Sequence, residues 1–591
     1  MPGGGRRGQV QQKPKDTRAT LKRILTYLNI YKLKLFLVFV CVLISSVTTL
    51  AGSYMIRPIL NSVVAGDDVS VLVRSLVLMG CIYVLGVAAT FCQKQVIVKI
   101  SQTVLYQMRK DLFDRLQKLP VRYFDNRTTG EIMSRFANDI DNIGNMLDNS
   151  ITVLMSSVIS FLGTLGLMIY TNIWLTLITI FMLPVMMKTS TGILKHSQKY
   201  FKSQQAALAS ANGYIEEMIS GQKVVKVFNH EPTAKKEFGE LNRDLQQKQV
   251  KAQFLSGIVM PVNVNLNSIN YALNTVVGAY LCIAQGFDIG GLAVSINYSR
   301  QFGRPINELS NQMSVILSAL AGAERVFAVL DTPSEPKDAP DAVAPEHIRG
   351  DVVLKNVSFG YNPDKVILKD ISLYAKPGQK IAFVGSTGAG KTTITNLLTR
   401  FYDISQGEIT IDGIPLNKLK KDCLRQSIAM VLQDTHLFTG TVMENIRYGR
   451  LDATDEEVIA AAKIANADGF IRHLPKGYDT MLEGDGANLS QGQRQLLNIA
   501  RASVSKAPIL ILDEATSSVD TRTERQIDKG MDELMKGRTT FVIAHRLSTV
   551  RNADAIMVLE NGEIIERGDH EELLKLRGRY YELATGKAEL D

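Results

Sequence analysis

At 591 residues the chain is too long for one hydrophobic core and must hold several domains. A formal charge of +9 would suit nucleic acid, but the basic residues concentrate beside apolar runs, which points to a membrane and away from a nucleic-acid partner. The five cysteines, Cys41, Cys81, Cys92, Cys282 and Cys423, show no paired spacing and four lie in apolar runs, which argues against a disulfide framework or a metal site.

Mean hydropathy, +0.04, hides a division. Residues 35–320 carry long apolar runs, whereas 350–591 read as an ordinary α/β domain. The segment 1–20 is a Gly-, Pro- and Arg-rich basic tail expected to be disordered. LKRILTYLNIYKLKL follows, basic and amphipathic, suited to a cytoplasmic membrane face. The apolar run beginning near Leu35 starts too late and runs too long for a signal peptide.

Six membrane helices are expected at 35–57, 72–93, 151–170, 173–187, 257–283 and 291–318, each near the ~20 residues that span a bilayer. The fourth runs on past Lys188, and the sixth is the polar one, expected to score poorly on hydropathy. The loops PILNSVVAGDD, YTN and QGFDIGG hold almost no Lys or Arg, whereas 94–150 and 188–256 are long, helical in period and basic. The positive-inside rule therefore places both termini and both long loops in the cytoplasm. Their tips, VRYFDNRTTGE and GYIEEMISGQ, are turns able to press against another domain. The membrane domain thus covers 21–327, a Pro- and Asp-rich linker 328–350, and a second domain 351–591.

Beyond the linker, short β-branched runs alternate with helical patterns, which predicts a largely parallel sheet. KIAFVGSTGAGKTTITNLL reads as strand, glycine loop and helix start. Gly385, Gly388 and Gly390 let backbone N–H groups of the loop, through Ser386, Thr387 and Ala389, curl around phosphate oxygens at a helix N-terminus that continues into Thr393. Lys391 reaches the β- and γ-phosphates, and Thr392 offers a hydroxyl to Mg²⁺. ILILDE is an apolar strand ending in Asp513, suited to Mg²⁺, and Glu514, suited to act as general base. Gln433 ends another strand within reach of Mg²⁺ or water. His545 follows TTFVIA and faces the γ-phosphate on this reading, and Tyr361 stacks on adenine.

NLSQGQRQ, Asn488 to Gln495, looks like a further anion-binding turn about a hundred residues past a complete phosphate loop. With the order Tyr361, GSTGAGKT, Gln433, LSQGQ, ILILDE, SSVD (Ser517 to Asp520) and His545, it resembles the signature of ABC transporters. Gln491 stands there for a glycine. The whole chain resembles a type IV ABC exporter half-transporter, a six-helix all-α membrane domain fused to an α/β P-loop nucleotide-binding domain. The resemblance implies an ATPase using ATP and Mg²⁺. It also implies two chains stacked head to tail, with Ser490, Gly492 and Gln493 of one chain, and Asp520, completing the ATP site of the other. The tips near Tyr123–Gly130 and Tyr214–Gly221 would be coupling helices, and closure would drive alternating access.

LSQGQRQ, DEATSSVDTRTE and YSRQFGRPINELSNQ resemble the catalytically complete subunit of bacterial heterodimeric multidrug exporters, so a heterodimer is favoured over a homodimer. Where many exporters carry V-G-E-x-G, this chain has LEGDG at Leu482 to Gly486. Asn263, Asn267, Asn270 and Asn274 share one face of the fifth helix. Asn297, Arg300, Arg304, Glu308 and Asn311 share one on the sixth. An arginine facing mid-bilayer lipid costs about 2.5–3.5 kcal/mol, so these stripes either line a cavity for a small amphipathic substrate or bind helix to helix. A dedicated lipid or peptide exporter, and a membrane-anchored ATP-dependent regulator, are the competing functions.

Overall fold

Residues 17–331 form almost uninterrupted helix, as apolar sequence must where backbone groups cannot find water. The computed structural model describes residues 16–362, 365–433, 435–513, 521–544 and 550–585. Most of the expected tail, 1–15, lies outside these, and Thr17–Thr20 already belong to a helix. The chain divides into two units. One comprises Met1–Leu119 and Arg127–Thr332, the other Pro120–Asn126 and Pro333–Asp591.

The first unit opens with α1 (Thr17–Asn29), whose first turn is capped by Asp16 accepting from the Ala19 N–H at 3.0 Å. Next come α2 (Lys32–Tyr54), α3 (Ile56–Ala65) and α4 (Val69–Leu116). The short α5 (Val121–Asp125) belongs to the second unit. The first unit resumes with α6 (Thr129–Ser134) and α7 (Ile140–Asn145), which is flanked by π-helical turns at Arg135–Asp139 and Met146–Ser150. It continues through α8 (Ile151–Thr171), α9 (Ile173–Ser220), α10 (Gln222–Val227), α11 (Glu231–Gln285), α12 (Ile289–Phe302) and α13 (Arg304–Asp331). Asn172 starts α9 by accepting from the N–H groups of Trp174 and Leu175. Gly286, left-handed, ends α11.

At 1.5 Å per residue, α4 and α9, of 48 residues each, measure about 72 Å, so each can cross a bilayer and continue well beyond it. Among the described residues five helical stretches are long and apolar enough to span: Lys32–Ala65, Val69–Leu116, Thr129–Thr171, Ile173–Ser220 and Ile289–Asp331. The remaining expected span, the fifth in chain order, lies in α11, which carries the asparagine stripe. The expectation that the last helix would be the weakly apolar one is therefore corrected. Ile289–Asp331 reaches a hydropathy of 1.7, and it is α11, diluted by Asn263, Asn265, Asn267, Asn270 and Asn274, that falls short.

Two polar joints tie distant parts of this unit. Asp288 accepts from Arg57 at 2.9 and 2.6 Å, from Asn61 at 2.7 Å and from the Gly291 N–H at 2.8 Å. Asp139, whose side chain is 2% exposed, accepts from Arg135 Nη1 at 3.1 Å and from both Nε and Nη2 of Arg325. A buried carboxylate is tolerated only with such partners.

In the second unit, residues 333–350 lie against the domain rather than forming a bare tether. Glu335 pairs with Arg425 at 2.5 Å, and Val343 bridges Leu419. The strands β1 (Val352–Phe359) and β2 (Leu368–Ala375) precede β3 (Lys380–Val384) and α14 (Lys391–Leu398). Then come β4 (Gln406–Ile411), β5 (Ile414–Pro415), α15 (Lys421–Gln426), β6 (Ile428–Val431) and β7 (Gly440–Thr441). Next are α16 (Val442–Arg447), α17 (Asp455–Ile464), α18 (Asp468–Arg472), β8 (Met481–Leu482) and α19 (Gln491–Val504). The last are β9 (Ile509–Asp513), α20 (Thr521–Met535), β10 (Thr539–Ile543), β11 (Ala555–Glu560) and β12 (Glu563–Gly568).

One sheet runs β12-β11-β3-β10-β9-β6, parallel except at its β12 edge. Its inner strands are buried along nearly their whole length, because helices cover both faces of a parallel sheet. A second, antiparallel sheet runs β2-β1-β4-β5, an element that the reading of a largely parallel domain did not separate out.

Replacing Asp139 by alanine leaves Arg325 and Arg135 without their shared carboxylate. The expected cost is about 3 kcal/mol, seen as a lower thermal unfolding midpoint in detergent. An unchanged midpoint would contradict the joint.

Candidate functional site

The parallel register decides where the chemistry gathers. Ile543 lies opposite Asp513 and Phe383, and Val431 opposite Leu512. The carboxyl ends of β3, β10, β9 and β6 therefore share one sheet edge, where an open α/β sheet takes its ligand. Among the described residues that follow them are Gly385–Gly390 after β3 and Gln433 after β6.

Gly385, Gly388 and Gly390 have φ of 150°, 87° and 106°, a region that side chains other than glycine rarely adopt. A Cβ on Gly385 would fall on the carbonyl of Leu559, and one on Gly390 on the side chain of Leu368. The cradle thus requires glycine at both ends. Ser386, Thr387 and Gly388 are exposed at its mouth, Ala389 is buried, and Thr392 is exposed in the first turn of α14. The Lys391 ammonium, 6% exposed, donates to the carbonyls of Gly385 and Ser386. Burial pulls its pKa down, and the Asp513 carboxylate opposes that shift. A triphosphate with a divalent cation fits this donor set: backbone N–H groups, one ammonium, one hydroxyl and one carboxylate.

Tyr361 stands beside the loop. Its hydroxyl lies 3.4 Å from Thr393 Oγ1 and accepts from Asn396 at 3.2 Å, and its ring meets Tyr402 edge-on at 4.9 Å. The second unit also holds α5 there. Arg122 donates to the Tyr361 carbonyl at 2.9 Å, and the Tyr402 hydroxyl donates to Asp125. Burial, then Asp125, push the Tyr402 hydroxyl above the ordinary tyrosine range.

Ser490 is the N-cap of α19. Its hydroxyl accepts from the Gln493 N–H at 3.3 Å, while the Gln493 side chain accepts from the Ser490 N–H at 3.0 Å. Gly492 is buried and Ser490 exposed, so the helix start is open to solvent. A cavity of about 210 Å³ lies beside it, lined by Gln433, His436, Asp485, Gln491 and Arg494 among others.

Sequence reasoning missed Asp485. Gly484, Asp485 and Gly486 are all left-handed, which bends LEGDG back on itself. The Asp485 carboxylate accepts from the Leu437 N–H at 2.7 Å and faces His436 at 3.6 Å, and its carbonyl is 3.5 Å from Arg494 Nη1. The segment after Gln433 is thereby tied to the loop that leads into α19. Arg501 supports the same segment from α19, donating to His436 and Asn445 carbonyls at 2.9 Å between the rings of Phe438 and Tyr448. The departure of LEGDG from the usual pattern was the available signal for Asp485, and nothing in the sequence singles out Arg501. Glu514, Asp520 and His545 lie outside the described residues.

The asparagine stripe divides. Asn270 and Asn274, 3% and 0% exposed, join α11 to α9 and α12 through Ser299 and Thr179, with Asn270 to Ser299 at 2.8 Å. They bind helices together in this unit, one of the two roles open to the stripe. Asn263 accepts from Ser190 at 2.7 Å, and Asn297 from Gln301 at 2.6 Å. Asn267 is half-buried. Arg300 lies over the Tyr271 ring at 4.2 Å, and Arg304, 81% exposed, pairs with Glu308 at 2.9 Å.

Asp485→Ala removes the tether on Leu437 without touching the phosphate loop. Nucleotide turnover is expected to fall about tenfold at unchanged nucleotide affinity, with Asp485→Asn, which keeps an acceptor oxygen, close to wild type. Steady-state kinetics with a separate binding titration check this, and equal losses in binding and turnover would contradict it.

Residues 35–306 match the ABC transporter transmembrane region, and residues 368–517 match the ABC transporter domain. An uncharacterized ABC transporter ATP-binding protein of Bacillus subtilis, YfiC, is 45% identical over 98% of this chain and 96% of its own. A fatty acid ABC transporter ATP-binding/permease protein of Mycobacterium bovis is 41% identical over 88% of this chain and 82% of its own. An ATP-dependent lipid A-core flippase of Syntrophus aciditrophicus is 35% identical over 95% and 93%. Helical membrane unit, glycine cradle and capped signature helix thus occur in one chain that matches these relatives along most of its length. The chain belongs to the ABC transporter family, as an exporter half-transporter whose ABC domain binds ATP and couples its hydrolysis to transport.

Proposed function

We propose that this chain is one half of a dimeric exporter that moves amphipathic or hydrophobic compounds, lipid-like or drug-like, outward across a bacterial cytoplasmic membrane by alternating access. The observation that carries the reading is the pair of receptor elements present once each. Gly385–Thr392 is a complete phosphate cradle, and Ser490–Gln493 is an exposed, capped helix start. A sandwich with a second half-transporter gives each ATP one cradle and one signature. In it Ser490, Gly492 and Gln493 donate to the γ-phosphate of the partner's nucleotide, and Asp520 holds the facing loop.

In this reading Thr392, Gln433 and Asp513 hold Mg²⁺, which when bound neutralises charge developing on the phosphates. Glu514 takes the proton of the attacking water, and His545 contacts the γ-phosphate. The expected tip Tyr214–Gly221 is the end of α9 and Gly221 rather than a turn, and just beyond it Val224, Val227 and Phe228 are 61%, 75% and 74% exposed, an apolar end suited to a groove on the partner. The basic long loops favour a cytoplasmic location for both termini and the ABC domain. The intact Glu514 and His545 make this the catalytically complete subunit, and the signature variant favours a heterodimer.

Cargo class rests on chemistry and on kin. Arg300, Arg304, Asn267 and Asn297 provide polar groups along otherwise apolar helices, alongside the helix-joining Asn263, Asn270 and Asn274. Relatives carry the names fatty acid transporter, lipid A-core flippase and, at 33% identity, putative multidrug export protein. An amphipathic substrate places its polar end on the first and its chain against the second.

Glu514→Gln is expected to cut phosphate release by about 100-fold or more while ATP still binds, and to abolish uptake of a fluorescent amphiphile into inside-out vesicles. Phosphate release that survives the substitution would sink the exporter reading in favour of other chemistry, and release without any uptake by wild type would favour the regulator. Affinity purification from the native cell should recover a distinct half-transporter in equal amount. Recovery of this chain alone, as a dimer, would select the homodimer.

A further inference from the structure

We propose that the angle between α1 and α2 is a binding site for one anionic phospholipid. A cavity of about 360 Å³ lies there, lined by Lys22, Leu25, Leu28, Asn29, Lys32 and Leu35 among others. It contains two cations and a leucine floor. Among the described residues neither Lys22 nor Lys32 has a carboxylate partner, whereas the neighbouring Arg23 is committed to Asp331 at 2.6 Å and to the ring of Phe327 at 4.4 Å. Lys32 is the first residue of the Lys32–Ala65 span, so the cavity lies at the boundary of the bilayer.

The surroundings distinguish a lipid from a free anion. α1 buries Thr20, Ile24 and Leu28 against its own unit and leaves Leu21 and Leu25 exposed, while Ile30 and Leu33 are 79% and 80% exposed in the turn and in the start of α2. Apolar side chains beside lysines at a membrane edge hold a molecule with an anionic head and hydrocarbon beneath it. The volume suits a phosphate and its glycerol, with acyl chains lying over Leu25 and Leu35. Inorganic phosphate would satisfy the lysines and gain nothing from the leucines. A zwitterionic phosphatidylcholine headgroup would bring its own cation to the two lysines, so a net anionic headgroup is favoured. The site would fix α1 to the membrane surface and set the angle at which the first span enters it.

The test uses the full chain, purified with its partner subunit and incubated with equimolar phosphatidylglycerol and phosphatidylcholine, and reads retained lipid by native mass spectrometry. Wild type should retain phosphatidylglycerol over phosphatidylcholine by about tenfold. Lys22→Gln with Lys32→Gln should lose that preference. Arg18→Gln with Lys34→Gln, equally basic positions outside the cavity, should keep it. ATP turnover of both double variants in micelles, matching wild type, reports that they are folded. Equal retention of the two lipids, an equal loss in the control variant, or displacement of the lipid by excess inorganic phosphate would each overturn the proposal.

Discussion

Unpaired backbone N–H groups at a helix start receive an anion without a formal charge, and two such starts govern this chain's nucleotide chemistry. One opens α14, where Gly385, Gly388 and Gly390 turn the preceding loop into a cradle. The other opens α19, where Ser490 and Gln493 fix the first turn by reciprocal bonds and leave it exposed. The parallel sheet supplies the rest. It aligns the ends of β3, β9, β10 and β6, so that Lys391, Asp513 and Gln433 arrive at one edge. The proposed sandwich follows from joining a cradle on one subunit to a helix start on another.

In the membrane unit the governing constraint is the cost of polar groups in hydrocarbon. Asn270, Asn274, Ser299 and Thr179 meet it by bonding one another across three helices. Outside the expected spans, Asp139 collects two arginines and Asp288 an arginine, an asparagine and a backbone N–H, because a buried carboxylate needs partners. Polar residues of this kind are structural where they are sealed, whereas Arg300 and Arg304 remain exposed.

The nucleotide-binding half was legible because its chemistry is local. A strand, a glycine loop and a helix start are contiguous, and so are the signature serine and the glutamine three residues on that closes its capping box. Helix periodicity likewise gave the long rods α4 and α9. Interactions between distant residues were less accessible. Spacing places Asn270 and Asn274 on one helix face but does not say whether water or a neighbouring helix covers it. The same limit hid Asp485, whose acceptor role depends on Leu437, 48 residues earlier, and Arg501, held between two rings brought together only by folding. Reading the charges of the last span as its weakness misjudged which helix was least apolar, since five asparagines dilute α11 more.

The account rests on nucleotide being gripped jointly by two polypeptides. The most direct measurement is ATP hydrolysis across a dilution series in detergent, with mass photometry reporting the subunit state of each sample. Turnover per chain should track the fraction present as pairs and vanish in samples of single chains. Undiminished turnover by single chains would contradict it.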